Sequence, residues 1–280
     1  MSTPRARILP LKRLVQLANQ LTVELVMTSD PKKLDERQTV QVGLDLLRQN
    51  EFDQAPVARG RVDVGLVYLE QLEAADPDAH IASVDYERLC LENALEPSSS
   101  LAHVLRKLVL RRSCVAVDEE DRVVGLVHFS DLNRQAMRSY CYLWHTAVEM
   151  AVGNWLGIHD PEARWLQYAP NRGKIRTEYR RLQLRRADTS YVELAYWTDL
   201  VAAIRNDERL HDLLIQDPVE DARLDRLTKT VRNRIMHPVE PLVCSHLQVK
   251  DLCVLLGFMQ AVLKRLEPQL GMELQGGVEM

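Results

Sequence analysis

The sequence predicts an α+β chain in two parts, short strands with helices in the N-terminal part and helices alone after it. Three observations predict this. A helix–strand–turn–strand unit occurs twice between residues 21 and 135, strand patterns stop near Ala136, and apolar residues beyond that point recur at helical spacing. At 280 residues, with 46% hydrophobic and 27% charged residues, the composition is globular and the length accommodates two domains.

In chain order, Leu11, Leu14, Val15 and Ala18 share one face of a short leading helix within residues 1–20. In the first copy of the unit, about residues 21–75, Thr39 is placed to cap a helix carrying Val42, Leu46 and Leu47 inward. Pro56-Val57-Ala58 and Val64-Gly65-Leu66-Val67 then read as buried strands joined by a turn near Gly60. The second copy, about residues 80–135, repeats this grammar. Ser100 precedes a helix with Leu101, Val104, Leu105 and Leu108, Cys114-Val115-Ala116-Val117 and Val123-Val124-Gly125-Leu126-Val127 are strands, and Ser130-Asp131-Leu132 opens a further helix. Each unit is too small to bury a good core by itself, so the two should pack together.

The match of Gly65-Leu66-Val67 with Gly125-Leu126-Val127, each after a helix and hairpin, resembles the tandem cystathionine-β-synthase (CBS) repeat over residues 21–135. In that family a hydroxyl approaches a phosphate and an aspartate holds the ribose of an adenine nucleotide. The resemblance therefore implies one site for AMP, ADP, ATP or a related nucleotide at Gly125, His128 and Asp131, with His128 standing where the hydroxyl would be. The first copy departs further, with Tyr68 and Gln71 at the corresponding positions. Asp131 also has a purely structural reading, a carboxylate at a helix N-terminus in a dimerising scaffold.

Residues 136–270 read as a helical bundle. The first helix carries Tyr140, Leu143, Trp144, Ala147, Val148, Ala151 and Trp155. The second carries Ile175, Tyr179 and Leu182, and the third Leu194, Trp197, Val201 and Ile204. A fourth follows Pro218 with Leu224, Leu227, Val231 and Ile235, and a last one opens at Ser245-His246-Leu247-Gln248 as a capping box and ends at Pro268. Residues 271–280 read as a flexible tail.

One stretch of the fourth helix, Arg232-Asn233-x-x-x-His237-Pro238, combines chemistry with a helix stop. The stripe ending at Ile235 faces the core, so Asn233 and His237, four apart, share the opposite side. A histidine before a terminal proline is also an ordinary helix end. Two other Arg/His pairs match the same loose pattern, Arg138 with His145 and Arg205-Asn206 with His211, but without the terminal proline.

A late helix ending in Arg-Asn-x-x-x-His-Pro before a final apolar helix resembles the HEPN family, many of whose members are metal-independent endoribonucleases. The resemblance implies a homodimer whose two copies of Arg232 and His237 line one cleft, with Asn233 orienting the histidine or the phosphate. It implies no metal and no cofactor for catalysis. An antitoxin-like protein is a further partner to be expected.

Residues 164–186 gather Arg172, Lys174, Arg176, Arg180, Arg181 and Arg185 with Trp165, Tyr168 and Tyr179 interleaved. Cations for the phosphate backbone and aromatics for stacking make this an RNA-binding candidate, while a solvated helix face is the plainer reading. The net charge of −4 argues against indiscriminate nucleic-acid coating, so such contact must be local. Five scattered cysteines without a paired spacing fit reduced thiols and predict no metal site. The N-terminus lacks the apolar segment of a secretion signal, and no long uninterrupted apolar run marks a membrane span. Cytoplasmic location is the expectation.

Overall fold

The computed structural model describes residues 5–227, 232–236 and 239–271. Val231, His237, Pro238 and the tail beyond Gly271, all part of the expectations above, lie outside the described residues. Contacts divide the chain into two units, one formed by residues 22–134 and the other by the flanking segments.

The leading helix α1 is Arg5–Asn19, longer than its apolar spacing predicts and continuous through Pro10. Residues 22–134 then hold the repeat: β1 (Thr28–Ser29), β2 (Leu34–Asp35), α2 (Val40–Gln49), β3 (Gln54–Arg59), β4 (Val62–Tyr68), α3 (Leu69–Glu73), β5 (Glu87–Arg88), β6 (Ala94–Leu95), α4 (Leu101–Leu110), β7 (Ser113–Val117) and β8 (Val123–His128), followed by a 3-10 turn at Phe129–Asn133. The copies are displaced by about 60 residues, as Leu34 in β2 and Ala94 in β6 illustrate. Thr39 and Ser100 cap α2 and α4 in the same way, each side chain accepting the backbone N–H three residues on. In α2 the buried face is Val40, Gly43, Leu44 and Leu47, while Val42 points outward at 44% exposure, contrary to its expected inward direction. The helix is turned by roughly one position, because Gly43 rather than Val42 meets Leu72 and Ile81.

The strands form two four-stranded sheets, β1-β8-β7-β6 and β2-β3-β4-β5. Each sheet borrows a strand. β1, which leads into the first copy, pairs antiparallel with β8 of the second, and β5, which leads into the second copy, pairs antiparallel with β4 of the first. Two equivalent positions meet across the repeat, the Ser113 hydroxyl donating to the Gln54 side-chain oxygen in a buried hydrogen bond. Asp63 adds a second tie, its carboxylate accepting the Val123 N–H at 2.6 Å and pairing with Lys33 at 2.7 Å. Leu66, Val115 and Val123 form a small apolar cluster drawn from both copies.

The borrowed strands explain the two glycines. A Cβ on Gly125 would lie 2.4 Å from Met27 Sδ, and one on Gly65 would lie 2.3 Å from the Glu87 carbonyl and 2.6 Å from the Tyr86 ring. Met27 and Tyr86 are themselves repeat equivalents, each seated on the glycine of the other copy.

The helical unit consists of α1 with α5 (Gln135–His159), α6 (Arg172–Leu184), α7 (Trp197–Asn206), α8 (Glu208–Leu214), α9 (Pro218–Arg226), α10 (Arg232–Met236) and α11 (His246–Leu270). α5 packs against α1, α7, α10 and α11 and is buried on most of its circumference, including Tyr140, Trp144, Val148, Ala151 and Trp155. α8 went unread in the sequence; Asp207 starts it by accepting the Leu210 N–H, so α7 and α8 are separate helices. α11 begins where predicted, although Ser245 makes no side-chain cap. Gln248 instead accepts the Cys244 N–H at 2.7 Å, and Pro268 lies inside the last turn rather than ending the helix. By length and composition α11 is apolar enough to cross a membrane. Here its face of Leu252, Leu255, Leu256, Met259, Val262 and Leu266 is buried within the bundle. Arg265 ties α11 to α9 through both Glu220 carboxylate oxygens at 2.8 Å and to α8 through the Leu214 carbonyl.

If the exchanged strand is what forbids a side chain at 125, Gly125→Ala should destabilise residues 22–134 by ~1–3 kcal/mol through overpacking. Met27→Ala in the same chain should restore part of that loss in urea melts. The equivalent rescue of Gly65→Ala by Tyr86→Ala should fail, because there the nearest atom is a backbone carbonyl.

Candidate functional site

The second copy assembles the expected nucleotide residues at the end of β8. Asp131 reaches back to accept the His128 N–H at 2.8 Å, and its other oxygen pairs with Arg134 at 2.8 Å. Arg134 in turn donates to the Met27 carbonyl and to Thr28 Oγ1, both at 2.7 Å, closing the mouth of the borrowed strand onto the turn. A carboxylate offers about four acceptor positions, so these two contacts leave Asp131 capacity for a ribose diol. His128 Nδ1 lies 2.8 Å from Ser130 Oγ, which brings a hydroxyl next to the position from which the sequence pattern lacks one. Gly125 has a structural part beside the ligand contact that the resemblance implies for it. It pairs with Ser29 and Ala116 in the sheet and is covered by Met27.

The first copy has spent the same positions on structure. Gln71 accepts the Tyr68 N–H at 2.8 Å and donates to the Asp85 carbonyl at 2.7 Å. Tyr68 sits under the Arg112 guanidinium, with its hydroxyl 3.3 Å from Glu87. Burial first, then the Glu87 charge, pushes the Tyr68 phenol well above its usual range, so it is a neutral donor there. An amide has one acceptor oxygen where the second copy has a carboxylate's two, and that oxygen already accepts the Tyr68 N–H.

In the helical unit, the described part of the Arg232–His237 stretch is α10, packed against α5. Arg232 is half-buried and Asn233 is exposed, as the helical geometry predicts. Arg232 lies near enough to α5 for its charge to act on two groups there, His145 and Glu149. These stand one turn apart with His145 Nδ1 3.7 Å from a Glu149 oxygen. His145 is 4% exposed, set edge-on to Trp197 at 5.0 Å, and its Nε2 has no hydrogen-bond partner among the described residues. Burial, reinforced by Arg232, lowers its pKa to about 4, so the ring is neutral near pH 7. Burial raises Glu149, and Arg232 offsets part of that rise.

A second arginine fixes the frame of this stretch. Arg138, 5% exposed on α5, donates from its two terminal nitrogens to the carbonyls of Arg234 and Glu240, one on each side of positions 237 and 238. Arg234 Nη1 donates onward to the Leu242 carbonyl at 3.0 Å. The carbonyls at a helix C-terminus lack partners of their own, and a planar guanidinium fork can take two at once. Of the pair Arg138 and His145, which lies inside the apolar opening helix, Arg138 thus ties α5 to the stretch that carries the motif. In the other loose match, Arg205 and His211, Arg205 is paired with Asp221 and Asp225.

The basic helix α6 is anchored lightly. Ile175 is its one buried residue, Tyr179 stacks on Tyr191 at 4.1 Å, and buried Asp199 accepts the Asn171 N–H at the helix start. Arg172, Lys174, Arg176, Arg180, Arg181 and Arg185 are all exposed, and Arg181 pairs with Glu178. Of the aromatics expected to stack on bases, Trp165 is buried at 2% exposure, and Tyr179 already stacks on Tyr191. Tyr168, at 43%, is open. Apolar spacing hid this difference because Trp165 lies in a 3-10 turn, Arg164–Gln167, held by Asp160, which accepts the Trp165 N–H. Among the described residues no group of His, Cys, Asp and Glu stands together in a way that could hold a metal ion.

Residues 94–138 match the family model described as CBS domain. No curated protein matches the chain. Similar solved structures include the CBS domains of a transcriptional regulator from Streptococcus pneumoniae, at 26% identity over 40% of this chain and 96% of that one, with a TM-score of 0.37. The CBS domain of a bacterial CNNM/CorC-family Mg2+ transporter in complex with ATP is similar at 19% identity over 48% and 96%, TM-score 0.38. CBSX2 in complex with AMP is similar at 20% identity over 42% and 96%, TM-score 0.36. The family match falls on the second copy, and the strand-for-strand repeat makes the first copy its counterpart.

Because His145 has a folded pKa near 4 and an ordinary value of 6.5, the unfolded chain binds the extra proton between these limits. Stability should therefore fall as pH drops from 6.5 toward 4 and lose no more through this group below 4. The full contribution is about 3 kcal/mol. Urea melts of wild type and His145→Gln across this range should show the slope in the first and its loss in the second.

Proposed function

We propose that residues 22–134 sense an adenine nucleotide at the Asp131 site and that the helical unit is a metal-independent endoribonuclease of HEPN type, active as a homodimer. The observation that carries the nuclease reading is the setting of α10. Arg232 is held half-buried beside Glu149, Asn233 lies on the exposed side, and Arg138 clamps the carbonyls on both sides of His237. The sensing reading rests on the CBS match of the second copy and on the acceptor capacity left on Asp131.

In this reaction His237 takes the proton of a ribose 2′-hydroxyl, whose oxygen attacks the adjacent phosphorus. The 5′-oxygen leaves as it gains a proton, and a 2′,3′-cyclic phosphate remains. Arg232 faces the charge that builds on the phosphorane-like transition state. The turn that carries Asp131 runs into α5 within a few residues of sequence, and α5 carries Arg138, His145 and Glu149. Nucleotide binding therefore acts on the nuclease by favouring one of two states of the dimer, which requires a different affinity for each.

A second, non-catalytic reading is favoured by α6, whose exposed cations suit RNA binding without cleavage. One experiment addresses both. Purified protein is incubated with structured RNA in EDTA, with and without AMP, ADP, ATP or a cyclic nucleotide, beside His237→Ala. The expected result is cleavage that falls on the order of 10²- to 10⁴-fold in the variant and changes with nucleotide. An undiminished rate in His237→Ala would overturn the nuclease assignment. Binding without cleavage would favour the second reading, with a salt dependence that weakens by about 0.7 in log–log slope for each α6 cation removed.

A further inference from the structure

We propose that a cavity between α9, α10 and α11 is a pocket for a guanine base. It encloses about 220 Å³ and is lined by Arg226, Arg234, Gln248 and Asp251 around Leu242, Leu252 and Leu255. That volume is below the roughly 300 Å³ at which pockets for drug-sized ligands begin, which suits one planar group rather than a whole nucleotide. The three leucines are each 4% exposed, so they form a fixed apolar floor for a ring face.

The rim decides which ring. Arg226 pairs with Asp251 at 3.4 Å, both side chains being more than half exposed, so a ligand can exchange this contact at little cost. Gln248 lines the cavity with its oxygen already accepting the Cys244 N–H, which leaves its amide nitrogen as the group it can offer, and Arg234 spends one nitrogen on Leu242. The rim thus sets one carboxylate acceptor among cationic and amide donors. Guanine matches it, because N1–H and N2–H2 are adjacent donors for one carboxylate while O6 and N7 accept from arginine. Adenine would turn its N1 lone pair on the carboxylate, and uracil would flank its single N–H with two carbonyls, so both are repelled. A lone phosphate would meet Asp251 and leave the leucine floor unused.

Arg232 and Arg234, two positions apart, lie on nearly opposite sides of α10, with exposed Asn233 between them. An RNA strand crossing α10 would reach Arg232 on one side and this cavity on the other, which makes the pocket the base-reading subsite of the proposed nuclease. The inference rests on the reading of the helical unit as one that acts on RNA.

Two arms separate the sources of guanine. In the first, GMP and AMP are titrated into the full chain and into Asp251→Asn, with binding read by calorimetry. Asp251 is exposed, and a melt of the variant verifies that it folds. In the second, single-stranded oligonucleotides of uridine with one central guanosine or adenosine are tested for binding and cleavage. The expected result is a preference for guanine of about ten- to a hundredfold in at least one arm, levelled by Asp251→Asn. A preference in RNA alone identifies an RNA-reading pocket, and one for GMP alone identifies a free nucleotide as its ligand. A guanine preference in a protein that cleaves no RNA upholds the pocket and overturns the nuclease reading. Equal affinity for guanine and adenine in both arms, unchanged by Asp251→Asn, overturns the pocket.

Discussion

Neither copy of the repeat can finish its own sheet. Because β1 completes the sheet of the second copy and β5 that of the first, the edge of each sheet is covered by chain from the other. An unpaired edge would expose a row of backbone donors and acceptors, and a unit of this size buries too little surface to fold alone. Exchange therefore makes the two copies one cooperative unit. The Ser113–Gln54 hydrogen bond and the Asp63 carboxylate on the Val123 N–H fix their register against each other. Gly65 and Gly125 follow from this constraint, since only a residue without Cβ admits Tyr86 or Met27. The glycine of the nucleotide pattern is thus also a requirement of the fold.

The helical unit solves a different problem, that of holding polar side chains inside a long apolar helix. Arg138 is the clearest instance. A guanidinium this buried would be costly alone, and it is compensated by two backbone carbonyls, of Arg234 in α10 and of Glu240 beyond it. His145 takes the other route and gives up its charge. Glu149 stands between these cases, drawn toward protonation by burial and toward ionisation by Arg232. The same wall of α5 thus offers α10 a fixed cation, a neutral ring and a carboxyl with a raised pKa.

What the sequence disclosed was the part written locally. Thr39 and Ser100 cap their helices because a side-chain oxygen three residues before a backbone N–H is a local arrangement, and the paired long strands are visible from apolar runs. The borrowed strands are two residues each, too short for any periodicity, and their pairing is set by contacts far along the chain. Val42 shows the limit within a helix, where apolar spacing does not separate a residue beside the buried face from one on it. At the candidate site, Arg232 and Asn233 were legible from helical geometry. Arg138, His145 and Glu149 were not, because polar residues in an apolar helix carry no signal of which neighbour they meet.

The basic helix α6 bears on how RNA would be held. A helix with one buried residue gains little from packing, and its cations stand at like-charged spacing, Arg172 with Arg176, Arg176 with Arg180, and Arg181 with Arg185. Such pairs oppose the helix by a few tenths of a kcal/mol each, with Glu178 answering Arg181. The Asp199 anchor at its start and the Tyr179–Tyr191 stack supply what packing does not. A polyanion laid along the exposed face would remove the repulsion and bind the ordered helix in preference to the unfolded one, so helix order and affinity for it would be linked. In a chain of net charge −4 this stretch is a local exception, and local attraction would bring a strand to one face without coating the protein. Sequence choice would then have to come from a site that reads a base edge, which a row of arginines on phosphates cannot do.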